Sequence, residues 1–258
     1  MCKVKSGDGT PIAYRRSGEG PPVILVGGAF STAESEAPLA RLLAPRFTTI
    51  TYDRRGRGAS GDRAPYAVER EVEDLAALLA VAGGSAALYG VSSGGALVLE
   101  AVAAGLPVTQ FAVYEPPYAT DPAALRARAA YTERLTELLA RGLRDDAVEL
   151  FLSAMDLHPA TIEVMRRSPL WPDLAAVAHT LAYDDQVLGE GLIPVRRLSA
   201  VTTRAMVVDG GASPPVVRDA ARAAARALPR GRHRTLTGQT HEVAPHVLAP
   251  VLEEFFAA

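Results

Sequence analysis

Cysteine is nearly absent: the 258 residues contain one, Cys2. No intrachain disulfide can form, and a zinc site built on cysteine pairs is excluded. Long apolar runs are missing too. None approaches the roughly 18 residues needed to span a bilayer, and the opening stretch MCKVKSGDGT lacks the apolar centre of a signal peptide. Charge of either sign is not in excess. The 27 Lys and Arg face 29 Asp and Glu for a net charge of −2, so no long-range field draws the chain to nucleic acid or to an anionic membrane. These absences lead to the expectation of a soluble cytoplasmic protein without a nucleic-acid or membrane partner, and they leave the oligomeric state open.

What is present is a patterned core. Short apolar runs at 11–16, 21–28, 47–53, 86–91 and 108–117 alternate with amphipathic runs at 36–47, 69–83 and 94–105. PPVILVGG at 21–28 is apolar throughout, as expected of a strand buried on both faces of a parallel sheet. In the run 69–83, Val72, Leu75, Leu78, Leu79 and Val81 mostly share one helical face. Strand–helix alternation predicts an α/β fold with a mostly parallel sheet and helices on both faces. Ligands bind such sheets at the carboxyl ends of the strands.

After Pro117 the pattern changes. Residues 118–195 read only as helices, at 122–141, 144–155, 159–167 and 173–187, and strands return at 202–211 and 232–238 around a helix at 214–228, with a last helix at 245–257. The expectation is a core of residues 1–117 and 196–258 carrying a helical insertion, 118–195, over the strand ends.

Within LYGVSSGGALVLEA, residues 88–101, Gly90, Ser92 and Gly94 form a G-x-S-x-G pattern between a strand and a helix. In that context the serine sits on a sharp turn with its hydroxyl exposed and is a candidate nucleophile. A serine hydroxyl needs a neighbouring base. Of His158, His179, His233, His241 and His246, only His241 falls in a loop between the last strand and the last helix. Asp53 and Arg54, in TYDRRGRGASG at 51–61, are expected to pin the loop after their strand.

GVSSGG, TYDRRGRGASG and GQTHEVAP at 238–245 together resemble the α/β-hydrolase superfamily, in its capped epoxide-hydrolase and haloperoxidase-like branch. The resemblance covers nearly the whole chain. It implies an eight-stranded sheet, a helical cap after the sixth strand, Ser92 as nucleophile and His241 as base. It also implies an oxyanion hole formed by the backbone N–H groups of Ser93 and Ala29, the latter in VGGAFS, where many relatives carry His-Gly. The serine disfavours aspartate-nucleophile chemistry.

The superfamily's acid follows the seventh strand, and there this chain departs from the pattern. In VVDGGASPP the acid's position is taken by Ser213. Two carboxylates remain: Glu115, at the end of the sixth strand in FAVYEPP, and Asp209, one residue short of the turn. Glu115 is preferred because Asp209 belongs to the strand itself, and a triad without a functional acid stays open. Phe30, Met155, Leu157, Trp171 and Tyr183 are expected either to line an acyl pocket or to pack as cap core. The resulting expectation is a serine hydrolase for an ester, thioester or lactone of a small to medium apolar substrate, with no metal or organic cofactor. A cyclase, lyase, acyltransferase or C–C hydrolase on the same fold is the alternative, and so is a non-catalytic ligand-binding module.

Overall fold

The computed structural model describes residues 1–257. Its sheet has eight strands: β1 (Cys2–Lys5), β2 (Pro11–Ser17), β3 (Pro22–Val26), β4 (Thr48–Tyr52), β5 (Ala86–Val91), β6 (Val108–Tyr114), β7 (Arg204–Gly210) and β8 (Gly231–Leu236). Their spatial order is β1-β2-β4-β3-β5-β6-β7-β8. β1 and β2 run antiparallel, and β3 to β8 are parallel. The mostly parallel sheet is the expected one. The unexpected strand is β1, whose CKVK sequence has no buried side chain and signals nothing by composition.

Helices cover both faces. α1 (Ala37–Leu43) and α11 (Pro245–Phe256) pack on one face through Leu39, Leu43, Leu248 and Leu252, against Leu25, Tyr89 and Val208. On the other face lie α2 (Val68–Val81), α3 (Ser93–Ala103) and α10 (Pro215–Ala227), with Leu75, Leu97 and Ala221 against Ile24, Leu88 and Val207. Burial on both faces explains why β3 is apolar at every position. In α2 the buried stripe differs from the expected one. Val72 and Val81 are only half-buried, whereas Glu71 and Asp74 are buried. The reason is ion pairing: Glu71 takes Arg54 and Asp74 takes Arg55, each at 2.7 Å.

Between β6 and β7 the chain is helical: α4 (Pro122–Ala140), α5 (Arg144–Ala154), α6 (Pro159–Arg166), α7 (Trp171–Ala176), α8 (Leu181–Val187) and α9 (Val195–Leu198). Asp121 caps α4 by accepting from the Ala123 and Ala124 amides. The segment has its own apolar cluster, including Leu135, Leu138, Val148, Leu152, Ile162, Trp171 and Leu181, and Ala29 and Phe30 of the core pack against it. The single helix expected over 173–187 is instead α7, a 3₁₀ turn at Ala178–Thr180, and α8. The Thr180 hydroxyl donates to the Val177 carbonyl at 2.7 Å and accepts from Arg57, which ties that turn to the core. None of the described helices is long and apolar enough to cross a membrane.

Candidate active site

Ser92 stands between β5 and α3 with φ 56° and ψ −128°. That conformation is strained for a serine, at a cost of about 1–3 kcal/mol. The turn is tight because strand and helix nearly touch. A Cβ on Gly90 would meet the Gly94 carbonyl, and one on Gly94 would collide with the Val26 and Gly27 carbonyls. The loop after β3 also presses on the serine: a Cβ on Gly28 would lie 3.0 Å from Ser92 Cβ. Among the described non-glycine residues, Phe30, Ser92 and Glu115 are three of the four with positive φ. All three belong to connections that leave the carboxyl ends of β3, β5 and β6.

Glu115 follows β6 directly and is fully buried. Its Oε2 lies 2.7 Å from His241 Nδ1, and its Oε1 accepts the Gly210 amide at 2.8 Å. Burial opposes ionisation of this carboxyl, but the hydrogen bonds from His241 and Gly210, with the Ser213 hydroxyl nearby, outweigh it and hold the pKa below the ordinary value. Because a carboxylate only accepts, Nδ1 carries a proton, and Nε2 is the nitrogen that the neutral tautomer would leave as acceptor. The imidazole is about one-third exposed. Among the described residues, no hydrogen bond joins the Ser92 hydroxyl to His241.

The histidine loop is held from below by Tyr114, which sequence reasoning missed. Its hydroxyl donates to the Thr240 carbonyl at 2.5 Å, and its own carbonyl accepts the Ser92 amide at 2.9 Å. One β6 residue thus ties the backbone of the serine turn to that of the histidine loop. The signal was present only as an aromatic residue beside Glu115.

Asp209 is placed elsewhere. It is fully buried in β7, and its Oδ2 pairs with His233 Nε2 of β8 at 2.8 Å. Alternation along the strand explains this. Val208 faces the α1–α11 side, so Asp209 points with Val207 to the opposite side. Ser213, at the position of the superfamily's acid, lies near the Glu115 carboxylate but short of hydrogen-bond geometry.

The backbone N–H groups of Ala29 and Ser93 have no hydrogen-bond partner among the described residues. A buried charge cluster lies behind them. Arg54 pairs bidentately with Glu71 and reaches Asp184 Oδ1 at 2.7 Å and Ser93 Oγ at 3.2 Å. Arg57 donates to the Gly28 carbonyl and to Asp184 Oδ2, each at 2.6 Å. Two guanidiniums thus face two carboxylates, so the buried charges balance. The pKa of Asp184 is lowered: burial opposes its charge, and Arg57 and Arg54 win. Asp53 pins the loop as expected, by accepting the Ala33 and Ala59 amides. Arg54 extends further than expected, to Ser93 and α8. Position 184 carries no motif, so nothing in the sequence linked it to position 57.

Of the five candidate pocket residues, Phe30, Leu157 and Trp171 belong to the apolar cluster of the helical segment. Phe30 packs edge-on against Phe151 of α5, with ring centroids 5.3 Å apart. Leu157 joins the same cluster, whereas Met155 ends α5 exposed to solvent. Trp171 is buried within the helical segment and donates to Asp145. Tyr183 stacks on Tyr66 at 3.9 Å and donates to Asp62. Among the described residues, no three His, Cys, Asp or Glu side chains come together as a metal site.

The chain matches the alpha/beta hydrolase family over residues 23–254. An alpha/beta hydrolase from Sphaerobacter thermophilus DSM 20745 is 52% identical, with 99% of this chain and 100% of that one covered and a TM-score of 0.90. An esterase from Thermogutta terrifontis, solved with malate bound, is 22% identical over 99% and 97% of the two chains with a TM-score of 0.73. The enol-lactonase from Burkholderia xenovorans LB400 is 20% identical over 100% of both, with a TM-score of 0.72. The hydrolase YraK of Bacillus subtilis (strain 168), described as uncharacterized, is 35% identical over 96 residues, which span 36% of this chain and 35% of that relative. With the family's match covering nine-tenths of its length and its eight-stranded sheet in place, the chain belongs to the alpha/beta hydrolase family.

Proposed function

We propose that this hydrolase is a serine enzyme that cleaves an ester, thioester or lactone of a small to medium apolar acyl group through an acyl-enzyme. The observation that carries the reading is the 2.7 Å contact between Glu115 and His241 beside a serine at positive φ. His241 Nε2 takes the Ser92 proton as Oγ attacks the acyl carbonyl, and Glu115 holds the imidazolium that forms. The Ala29 and Ser93 amides receive the charge that develops on the carbonyl oxygen. His241 then returns the proton to the leaving alcohol or thiol. Water, activated by the same nitrogen, releases the acid and restores Ser92.

Residues 118–195 act in this scheme as a cap over the acyl site. The contact of Phe30, next to the Ala29 amide, with Phe151 of α5 supports that role. An apolar acyl group suits the cluster of Phe30, Phe151 and Leu157. Two neighbours of the same fold, named as an esterase and an enol-lactonase, are compatible with this substrate class. The test is hydrolysis of p-nitrophenyl esters of increasing chain length. Turnover of the short esters, abolished by Ser92→Ala in a folded protein, is expected. Absence of turnover across the whole series would shift the assignment to a non-hydrolytic reaction on this fold.

A further inference from the structure

The Gly28 carbonyl that accepts from Arg57 belongs to the same peptide unit as the Ala29 N–H. In a planar trans peptide these two groups point in opposite directions, so fixing one fixes the other. Arg57 is itself fully committed. Its Nε donates to Thr180 Oγ1 at 3.1 Å, Nη1 to Gly28 O and Nη2 to Asp184 Oδ2. A planar guanidinium with all three nitrogens engaged and about 2% residue exposure has no freedom to swing. A cation bonded to a carbonyl also polarises the amide, which makes the N–H on its far side a stronger donor.

The second donor is tied to the same carboxylate. Ser93 Oγ donates to Asp184 Oδ1 at 2.7 Å while accepting from Arg54 Nη1. The side chain of the residue that carries the other N–H is therefore anchored as well.

We propose that Arg57 and Asp184 are positioning residues for the oxyanion hole: Arg57 orients and polarises the Gly28–Ala29 peptide, and Asp184, supplied by α8, links that peptide to Ser93. The proposal rests on the acyl-transfer reading above. It makes one cap helix part of the catalytic scaffold. Sequence alone hides it, because Arg57 and Asp184 are 127 positions apart.

The competing reading is a tether that only holds the helical segment down. A second tether allows the two to be separated. Asp62 accepts from Tyr183 at 2.9 Å and bonds His179 at 3.1 Å, joining the same loop to the same segment without touching the Gly28 peptide. Arg57→Gln, Arg57→Lys, Ser93→Ala and Asp62→Asn are to be compared with wild type in three measurements. These are kcat and KM on p-nitrophenyl acetate, inhibition by an alkyl trifluoromethyl ketone, whose adduct on Ser92 carries an oxyanion, and thermal unfolding.

Arg57→Gln should lower kcat about 10- to 100-fold, somewhat less than outright removal of an oxyanion donor. KM should hold, and affinity for the trifluoromethyl ketone should fall in parallel with kcat. Arg57→Lys should recover part of the loss, and Ser93→Ala should show a smaller loss of the same kind. Asp62→Asn should leave kcat and ketone affinity unchanged. If Arg57→Gln does not fold, Ser93→Ala carries the comparison. Unchanged ketone affinity in the folded variants, or an equal loss in Asp62→Asn, would overturn the proposal while leaving Ser92 chemistry intact. Failure of a fluorophosphonate to label Ser92 in wild type would overturn the acyl-transfer reading, and the proposal with it.

Discussion

Glu115 Oε2 lies 2.7 Å from His241 Nδ1, although the two residues are 126 positions apart. Glu115 directly follows the last residue of β6, and in the acyl-transfer reading its carboxylate takes the part of the acid that Ser213 cannot supply. A glutamine at position 115 would present an amide N–H₂ to Nδ1 in place of an acceptor, favouring the tautomer in which Nε2 is protonated and useless as a base. Glu115→Gln should therefore lower kcat by about 10²- to 10⁴-fold with KM little changed. Steady-state kinetics on the best p-nitrophenyl ester read this directly.

Asp209→Asn should behave differently. Its carboxylate bonds His233 and does not reach His241. The variant should keep its kcat and lose about 1–3 kcal/mol of stability from the disturbed buried pair, seen as a lower urea midpoint. A kcat loss matching that of Glu115→Gln would return Asp209 to the triad.

The same glutamate predicts a pH dependence of stability. Its folded-state pKa lies below the ordinary value of 4.5, so its contribution is fully present above that value and disappears as pH falls through the folded pKa. Thermal melts of wild type and Glu115→Gln should differ at pH 7. The difference should shrink progressively below about pH 4.5. A constant difference from pH 7 to pH 3 would contradict the assignment.

Glu36 carries the opposite sign. It precedes α1, near Gly27, and burial pushes its pKa up from 4.5 to about 7. The folded protein binds a proton there that the unfolded chain has released, so stability falls as pH rises from 4.5 to about 7 and is level beyond it. Glu36→Gln should match wild type near pH 4 and exceed it at pH 8 by an amount on the order of 3 kcal/mol. Paired urea titrations at the two pH values test this.

The serine turn should tolerate no added carbon at Gly94. The Val26 and Gly27 carbonyls occupy the space a Cβ would need, and neither belongs to a flexible side chain. Gly94→Ala should cost about 1–3 kcal/mol and displace Ser92, visible as a lower melting temperature together with lost activity.

Much of this was legible in the sequence because it is local. VILV at β3 is apolar throughout since both its faces are covered, and G-x-S-x-G announces a turn whose glycines have steric reasons. Glu115 could be reached only indirectly, from a serine standing where an acid was expected. What stayed hidden is non-local or weakly patterned. β1 is four residues long and sits at the sheet edge with no buried side chain, so its alternation is too short to mark a strand. The break between α7 and α8 depends on Thr180 and its bond from Arg57. Glu71 and Asp74 look like solvent-facing helix charges until their arginine partners are placed beside them. For Trp171 and Tyr183 residue type leaves pocket lining and cap packing both open, and only the structure pairs them with Asp145 and Tyr66.

The most direct test of the account is intact-mass and peptide-mass analysis after treatment with a fluorophosphonate, run in parallel with p-nitrophenyl acetate turnover. The prediction is one adduct per chain, mapped to Ser92, absent in Ser92→Ala and much slower to form in Glu115→Gln, with turnover lost in proportion. No adduct at Ser92 in a folded wild-type protein, or an adduct rate indifferent to Glu115, would contradict it.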